Sequence, residues 1–411
     1  MDSSFWSLIE PGDLLVAGQT LGEPTALIDL LLGSGPRPSG LRLFGGMSLT
    51  GIFTKAPRDV SLSTFVGLGR NADLIEAGRM DLIPCHMSDL PARLQSGPLK
   101  ADVALVMVSP PDSDGICSLG LTSDYIFEAA SSARVVLAEI NEQVPRVAGD
   151  TGIPVERIGA SIHSDRPLPR SERVRPSALE MRIAGYIGSH IRDGTCLQIG
   201  VGRLGEAVLD VAGGCRDLGV HAGMLGDGVL EMLDEGTINN SRKPVDVGLA
   251  VAGSVLGSDR AIALASKCRS LRLRSVSYLA DSAVTAQLTD VLCVNSAIEV
   301  DLLGQVNSET AGGRYVGAVG GAVDFLRASS RAGGRSVVAL PATAKGGQVS
   351  RVVPQVDTVS ASRSDVDMIA TEHGMAELRG VSEGERAARL IAIADPQHRD
   401  RLIAAAKEMG L

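Results

Sequence analysis

Four short stretches carry residue types that can do chemistry. The first is Leu197-Gln198-Ile199-Gly200-Val201-Gly202, an apolar strand ending in a glycine turn. Glycines there let backbone approach a ligand closely. The helix that follows aims its first N–H groups at whatever binds, favouring a phosphate or an oxyanion. A plain strand-to-helix turn has the same wording. The second stretch is Gly219-Val220-His221-Ala222-Gly223-Met224-Leu225-Gly226-Asp227-Gly228. Residues two apart on a strand share a face, so His221 and position 223 look the same way. His221 is then a general base for an incoming nucleophile, or a hydrogen-bonded core histidine. The third, Asn295-Ser296-Ala297-Ile298-Glu299-Val300-Asp301, holds Glu299, either a general base in a cleft or a structural carboxylate fixing a strand end. The fourth, Ala318-Val319-Gly320-Gly321, keeps side chains away from its backbone. A hairpin needs that, and so do rigid N–H donors that stabilise an oxyanion.

These residues need a scaffold. Strand candidates Leu14–Ala17, Leu41–Gly46, Asp102–Ser109 and Ala133–Ile140 alternate with helical stretches such as Thr25–Leu32 and Phe127–Ser132. A polar, proline-punctuated run, Asp165–Pro176, follows, and then the rhythm restarts. Helix Ser177–Arg192, strand Thr195–Ile199, loop and helix Gly202–Val211 and strand Val220–Leu225 come first. A helix opening at Val229, strands Thr289–Glu299, Ser336–Leu340 and Asp367–Thr371, and an amphipathic helical stretch Glu383–Met409 complete the chain. Strands alternating with helices predict an α/β fold with mostly parallel sheets. The expected division is a domain over 1–165, a linker over 166–176 and a second domain over 177–411. The linker arginines read as solvated, with a role in holding phosphates left open.

Composition narrows the class. Aromatic residues make up 3% of the 411, so the core must come from Ala, Val, Leu, Ile and Gly, as buried parallel strands allow. The net charge of −9 is spread without long runs. No basic face of the kind nucleic acid requires is expected. The six cysteines form no C-x-x-C pair, and Cys196 and Cys293 sit in apolar runs as small hydrophobes. Neither a metal site nor a disulfide framework is expected. The stretch Met1–Trp6 has no basic and apolar regions of a secretory signal, and no apolar run reaches membrane-spanning length. The expectation is a cytoplasmic enzyme with no membrane or nucleic-acid partner.

Taken together, the four stretches resemble the active-site signatures of the acetyl-CoA hydrolase/transferase family, which includes 4-hydroxybutyrate CoA-transferases. Further motifs match: Val323-Asp324-Phe325, Ser330–Ser336, Pro341-x-Thr343-Ala344-Lys345-Gly346-Gly347, Thr371–Gly380 and Ile391–Pro396, where Asp395 replaces the usual histidine. The N-terminal half matches more loosely, at Val108-Ser109-Pro110-x-Asp112 and Glu139-Ile140-Asn141. The resemblance implies two similar α/β domains of the CoA-transferase (NagB/RpiA-like) fold. It also implies acyl-CoA as substrate, no metal, and a homodimer or homotetramer. By resemblance Gly200, Val201, Gly202, Arg203 and Leu204 line the CoA pocket, Ile298 touches CoA, and Gly320 and Gly321 belong to the oxyanion loop. Leu204-Gly205 stands where the family usually has Ile-Pro, and Ala318 where its loop begins with glycine.

One departure concerns the reaction itself. The position of Gly223 is normally a glutamate, in a His-Ser/Thr-Glu sequence, which takes the acyl group and then CoA as a covalent thioester. Glycine has no carboxylate to offer. The first reading is therefore an acyl-CoA-dependent transferase that passes its acyl group directly to a non-carboxylate acceptor or to water, with His221 as base. A second is an orthodox CoA-transferase between carboxylates that recruits Asp227, Glu206 or Glu299. For Asp227 a structural turn role is the competing reading. A third is a catalytically silent CoA-binding subunit.

Overall fold

A computed structural model describes residues 4–33 and 35–411; Met1–Ser3, part of the stretch weighed for a signal, lie outside them. The contacts group into two compact units. One comprises Met1–Glu172, Val251–Leu279 and Arg314–Gly320, the other Arg173–Ala250, Ala280–Gly313 and Gly321–Leu411. The break after Glu172 falls within the proline-punctuated run.

The first unit is built on a seven-stranded parallel sheet. Its order is Met80–Leu82, Ser61–Thr64, Arg42–Gly45, Leu14–Ala17, Val103–Val108, Val135–Asn141 and Ile158–Ser164. Val103–Val108 is buried along its whole length, which is why it reads as an unbroken apolar run. The helix Thr25–Leu32 buries Leu27, Ile28, Leu31 and Leu32, one stripe at helical spacing. Its first turn is held by the fully buried Glu139, whose Oε2 accepts from Ala26 N–H at 2.9 Å. Arg166 closes on the same carboxylate, Nε to Oε1 at 2.6 Å and Nη2 to Oε2 at 3.1 Å. That corrects the reading of the linker arginines as merely solvated. Arg170 pairs with Asp259 at 3.1 Å and Arg173 with Glu231 at 2.7 Å. The segment 251–279 joins this unit through backbone bonds such as Ser123 N–H to Gly253 O at 2.9 Å and Asp150 N–H to Leu273 O at 2.7 Å.

The second unit follows the same plan. Its strands run in the order Gly219–Leu225, Cys196–Ile199, Val291–Ser296, Arg335–Ala339, Met368–Thr371 and Gly374–Glu377. The first five are parallel and the last is antiparallel. In each unit the first strand of the sheet is flanked on one side by the next strand in the chain and on the other by a later one. Two expected elements change. Thr289–Glu299 is two strands: Val291–Ser296 ends in the main sheet, and Glu299–Asp301 pairs instead with Val306–Asn307 and Val352–Val353. Glu383–Met409 is two helices, Glu383–Ile393 and Arg399–Glu408. Pro396 has no N–H to continue the first, and Asp395 Oδ1 caps the turn by accepting from Gln397 N–H at 3.0 Å.

Candidate active site

In an open parallel sheet, ligands bind beyond the carboxyl ends of the strands where the strand order reverses. In the second unit that point is the end of Cys196–Ile199, between Gly219–Leu225 and Val291–Ser296. The turn Gly200–Leu204 sits there. Gly200 N–H donates to Val294 O at 2.9 Å, and Gly202, with φ of 126°, opens the helix Arg203–Ala212. That φ favours glycine. The helix then lies very close to the turn, since a Cβ on Gly205 would fall 2.1 Å from Gly200 O. No side chain fits at 205 without displacement, which accounts physically for Leu204-Gly205. Gly202 and Arg203 are exposed and Leu204 is buried, so the turn presents backbone outward with a helix N-terminus behind it.

Two neighbouring features complete this strand edge. Gln198 and Asn295 exchange amide hydrogen bonds across adjacent strands, Asn295 Nδ2 to Gln198 Oε1 at 2.8 Å and Gln198 Nε2 to Asn295 Oδ1 at 3.3 Å. The sequence reading gave neither amide a role, although each is a buried or half-buried polar residue near the end of an otherwise apolar strand, and that position is the signal that marks them. On the other side, His221 is fully buried and Gly223 half-buried on the strand Gly219–Leu225. The expected shared face is present, and Phe325 marks it. Its ring lies 6.3 Å from the His221 ring, edge to face, and its Cε2 would lie 3.7 Å from a Cβ on Gly223. Phe325 comes from the first turn of Ala322–Arg331, the helix that follows the paired glycines. Position 223 therefore has room for a Cβ and carries none.

The carboxylates considered as stand-ins are engaged elsewhere. Glu206 is buried, and its Oε1 accepts from Gly228 N–H at 3.2 Å, at the start of the helix Asp227–Asp234. Burial pushes its carboxyl above the ordinary range, against the Gly228 bond and Arg173, whose Nη2 is 3.7 Å away. Asp227 is buried as the first residue of that helix, where the helix dipole favours a negative charge. Glu299 lies in the small sheet, its Oε2 accepting from Asn307 Nδ2 at 3.4 Å, while Ile298 N–H donates to Asn307 O at 2.9 Å. Gly320 has φ of 58° and its carbonyl accepts from Met87 N–H at 3.0 Å; Gly321 leads directly into Ala322–Arg331. Among the described residues no group of three or more His, Cys, Asp and Glu side chains is arranged to hold a metal ion. Nor is any helix long and apolar enough to cross a membrane.

Comparison with known proteins gives the family. The acetyl-CoA hydrolase/transferase N-terminal domain matches residues 5–171 and the corresponding C-terminal domain matches 257–406. The 4-hydroxybutyrate coenzyme A transferase of Clostridium kluyveri is 35% identical over 97% of this chain and 94% of its own. The chain belongs to the acetyl-CoA hydrolase/transferase family. Among solved structures, RipA from Yersinia pestis superposes with a TM-score of 0.93 at 30% identity, over 100% of this chain and 97% of that one. A 4-hydroxybutyrate CoA-transferase from Porphyromonas gingivalis gives 0.79 at 30% identity, over 97% and 94%. The fold is thus the CoA-transferase fold, and the protein is an enzyme of the class that transfers or hydrolyses CoA thioesters. The turn at 200–204 and the strand carrying His221 and Gly223 fall between the two domain matches.

Proposed function

We propose that this family member moves an acyl group from CoA directly to a non-carboxylate acceptor, an amine or alcohol, or to water, without a glutamyl-CoA intermediate. The observation that supports this most is position 223, open in space but without a nucleophile, on the same face as a buried histidine. Acyl-CoA lies with its phosphates and pantetheine arm at Gly200–Leu204 and Ile298, its carbonyl toward the backbone at Gly321, where the helix Ala322–Arg331 begins. The acceptor N–H or O–H occupies the space left by the missing glutamate. His221 removes its proton as the heteroatom bonds to the carbonyl carbon. The resulting oxyanion is held by backbone N–H groups at Gly321 and the helix start that follows, each worth about 3 kcal/mol in such sites. Collapse breaks the C–S bond, and the proton held by His221 passes to the departing sulfur, giving free CoA and the ester, amide or acid. The orthodox route through Glu206, Asp227 or Glu299 is disfavoured because each carboxylate is committed to a helix start or to the small sheet, and a displaced nucleophile loses its alignment.

The test is to incubate the protein with acyl-CoA and borohydride and search its peptides by mass. CoA release, to water alone or dependent on an added amine or alcohol, with no reduced glutamate or aspartate, is the expected outcome. A reduced acidic residue overturns the proposal in favour of a covalent carboxylate route, and no turnover with any acceptor favours a silent CoA-binding subunit.

A further inference from the structure

The strand ends beneath the turn carry a polar pair that packing does not require. Gln198 is 4% exposed and Asn295 half-buried, while Cys196, Leu197 and Val291–Val294 before them are buried and apolar. An amide side chain has two N–H donors and two acceptor lone pairs. The reciprocal bonds, Asn295 Nδ2 to Gln198 Oε1 at 2.8 Å and Gln198 Nε2 to Asn295 Oδ1 at 3.3 Å, use one donor and one lone pair of each residue. Among the described residues neither side chain makes a further hydrogen bond. Each amide keeps one donor and one lone pair unused, and burying those costs free energy. Two apolar side chains would fill the same strand face without that cost.

Gln198 pairs with Cys293 and Ile199 with Val294 in the parallel ladder, so the next place sets Asn295 opposite Gly200. Gly200 is two residues beyond Gln198 and lies on the same face. Asn295 thus has an amide behind it and no side chain beside it. A Cβ on Gly200 would lie 3.5 Å from Asn295 Oδ1, an ordinary contact, and the backbone of Gly200 is not in the left-handed region. A methyl there would fit and would cover the amide. Its absence leaves the edge of Asn295 open toward the turn Gly200–Leu204, at the reversal of strand order where open parallel sheets take their ligands. One N–H and one carbonyl lone pair on that edge are the complement of a secondary amide, which offers one of each.

We propose that the Gln198–Asn295 pair is a binding element for the pantetheine arm of CoA: Asn295 hydrogen-bonds a secondary amide of the arm, and Gln198 fixes the plane of the Asn295 side chain for it. This rests on the reading that CoA lies along the turn Gly200–Leu204. The arm joins the nucleotide to the sulfur through uncharged amides, so a neutral amide is the matching group. A charged side chain in this half-buried place would lose more to desolvation than it gained from a neutral partner. Holding both amides on adjacent strands also preorganises the contact, since Asn295 has little rotamer freedom left to lose when the ligand arrives.

The experiment measures binding to the full chain by calorimetry with two probes: CoA, and adenosine 3′,5′-bisphosphate, which keeps the phosphorylated nucleoside and lacks the arm. Gln198→Met combined with Asn295→Leu exchanges both partners for apolar groups of similar shape, so no orphaned amide is left behind. This double variant should weaken CoA by roughly tenfold and leave the bisphosphate unchanged. Gly200→Ala covers the amide edge with the pair intact and should give the same pattern, which decides the matter if the double variant does not fold. Gln198→Met alone frees the Asn295 side chain to turn and should cost CoA less than the double change, again with the bisphosphate unmoved; an unchanged CoA affinity there refutes the fixing role of Gln198. An equal loss for both probes shows a structural role only and overturns the proposal, as does no loss of CoA affinity in the folded double variant. Failure of the underlying reading looks different: Gly205→Ala, which must displace the turn, would then leave CoA affinity unchanged as well, whereas a wrong amide contact alone leaves that variant weakened.

Discussion

Placing a carboxylate at position 223 is the sharpest perturbation of this site. A Cβ there meets only Phe325 Cε2, at the ordinary contact distance of 3.7 Å, and the backbone is not in the left-handed region. Replacing a glycine within a strand recovers roughly 0.5–1 kcal/mol of backbone entropy. Desolvating a half-buried carboxylate costs a comparable amount, so Gly223→Glu should change stability by no more than about 1 kcal/mol. The variant is therefore expected to fold and bind CoA. A misplacement of about 1 Å costs on the order of a hundredfold in rate, so weak but measurable exchange is the realistic expectation. The assay compares Gly223→Glu with Gly223→Ala, which makes the same Cβ contact without the carboxylate. Each is given acyl-CoA and a labelled carboxylate, and a parallel sample is reduced with borohydride. Label exchange and a reduced adduct at residue 223 should appear in the glutamate variant alone. A folded, CoA-binding Gly223→Glu protein with neither would refute the idea that the pocket is intact apart from this one side chain.

Three further outcomes follow from the packing and charge. Gly205→Ala would place a methyl 2.1 Å from Gly200 O; the helix must shift, costing about 1–3 kcal/mol, and CoA binding by calorimetry should weaken with the fall in melting temperature. An unchanged CoA affinity would remove the turn from the binding site. Arg166→Met leaves the buried Glu139 carboxylate without its arginine and should cost about 3–5 kcal/mol in denaturant unfolding, much of it recovered by adding Glu139→Gln. Asp124 is fully buried, and burial lifts its carboxyl from 3.8 to about 6 despite the 2.7 Å bond from Gln19 Nε2. Because the folded state holds this proton more tightly than the unfolded chain, stability falls as pH rises from 3.8 to about 6, and the deficit persists above that. Asp124→Asn keeps an acceptor for Gln19 and tolerates the φ of 28°. It should stabilise by up to about 3 kcal/mol near neutral pH and by almost nothing near pH 3.5; an equal gain at both would show that the effect is not ionisation.

The parts of the fold legible in the sequence are those whose pattern is self-contained. Val103–Val108 is buried on both faces and announces itself as an apolar run. Ser61–Thr64, Met80–Leu82 and Ile158–Ser164 do not, because they are short or polar and owe their place to the strands beside them. The same divide runs through the candidate site. Strand alternation alone put His221 and position 223 on one face. It gave no hint of Phe325, which reaches that face from another element. Glycine itself shows why packing must be read together with sequence. Gly205 and Gly223 are the same letter, and their surroundings are opposite. At 205 a carbonyl fills the place of a side chain, so the glycine is a requirement of helix against turn. At 223 the space is open, so packing does not require the glycine. A side chain absent for want of room says nothing about chemistry; one absent where room exists shifts the chemical question to what else enters that space.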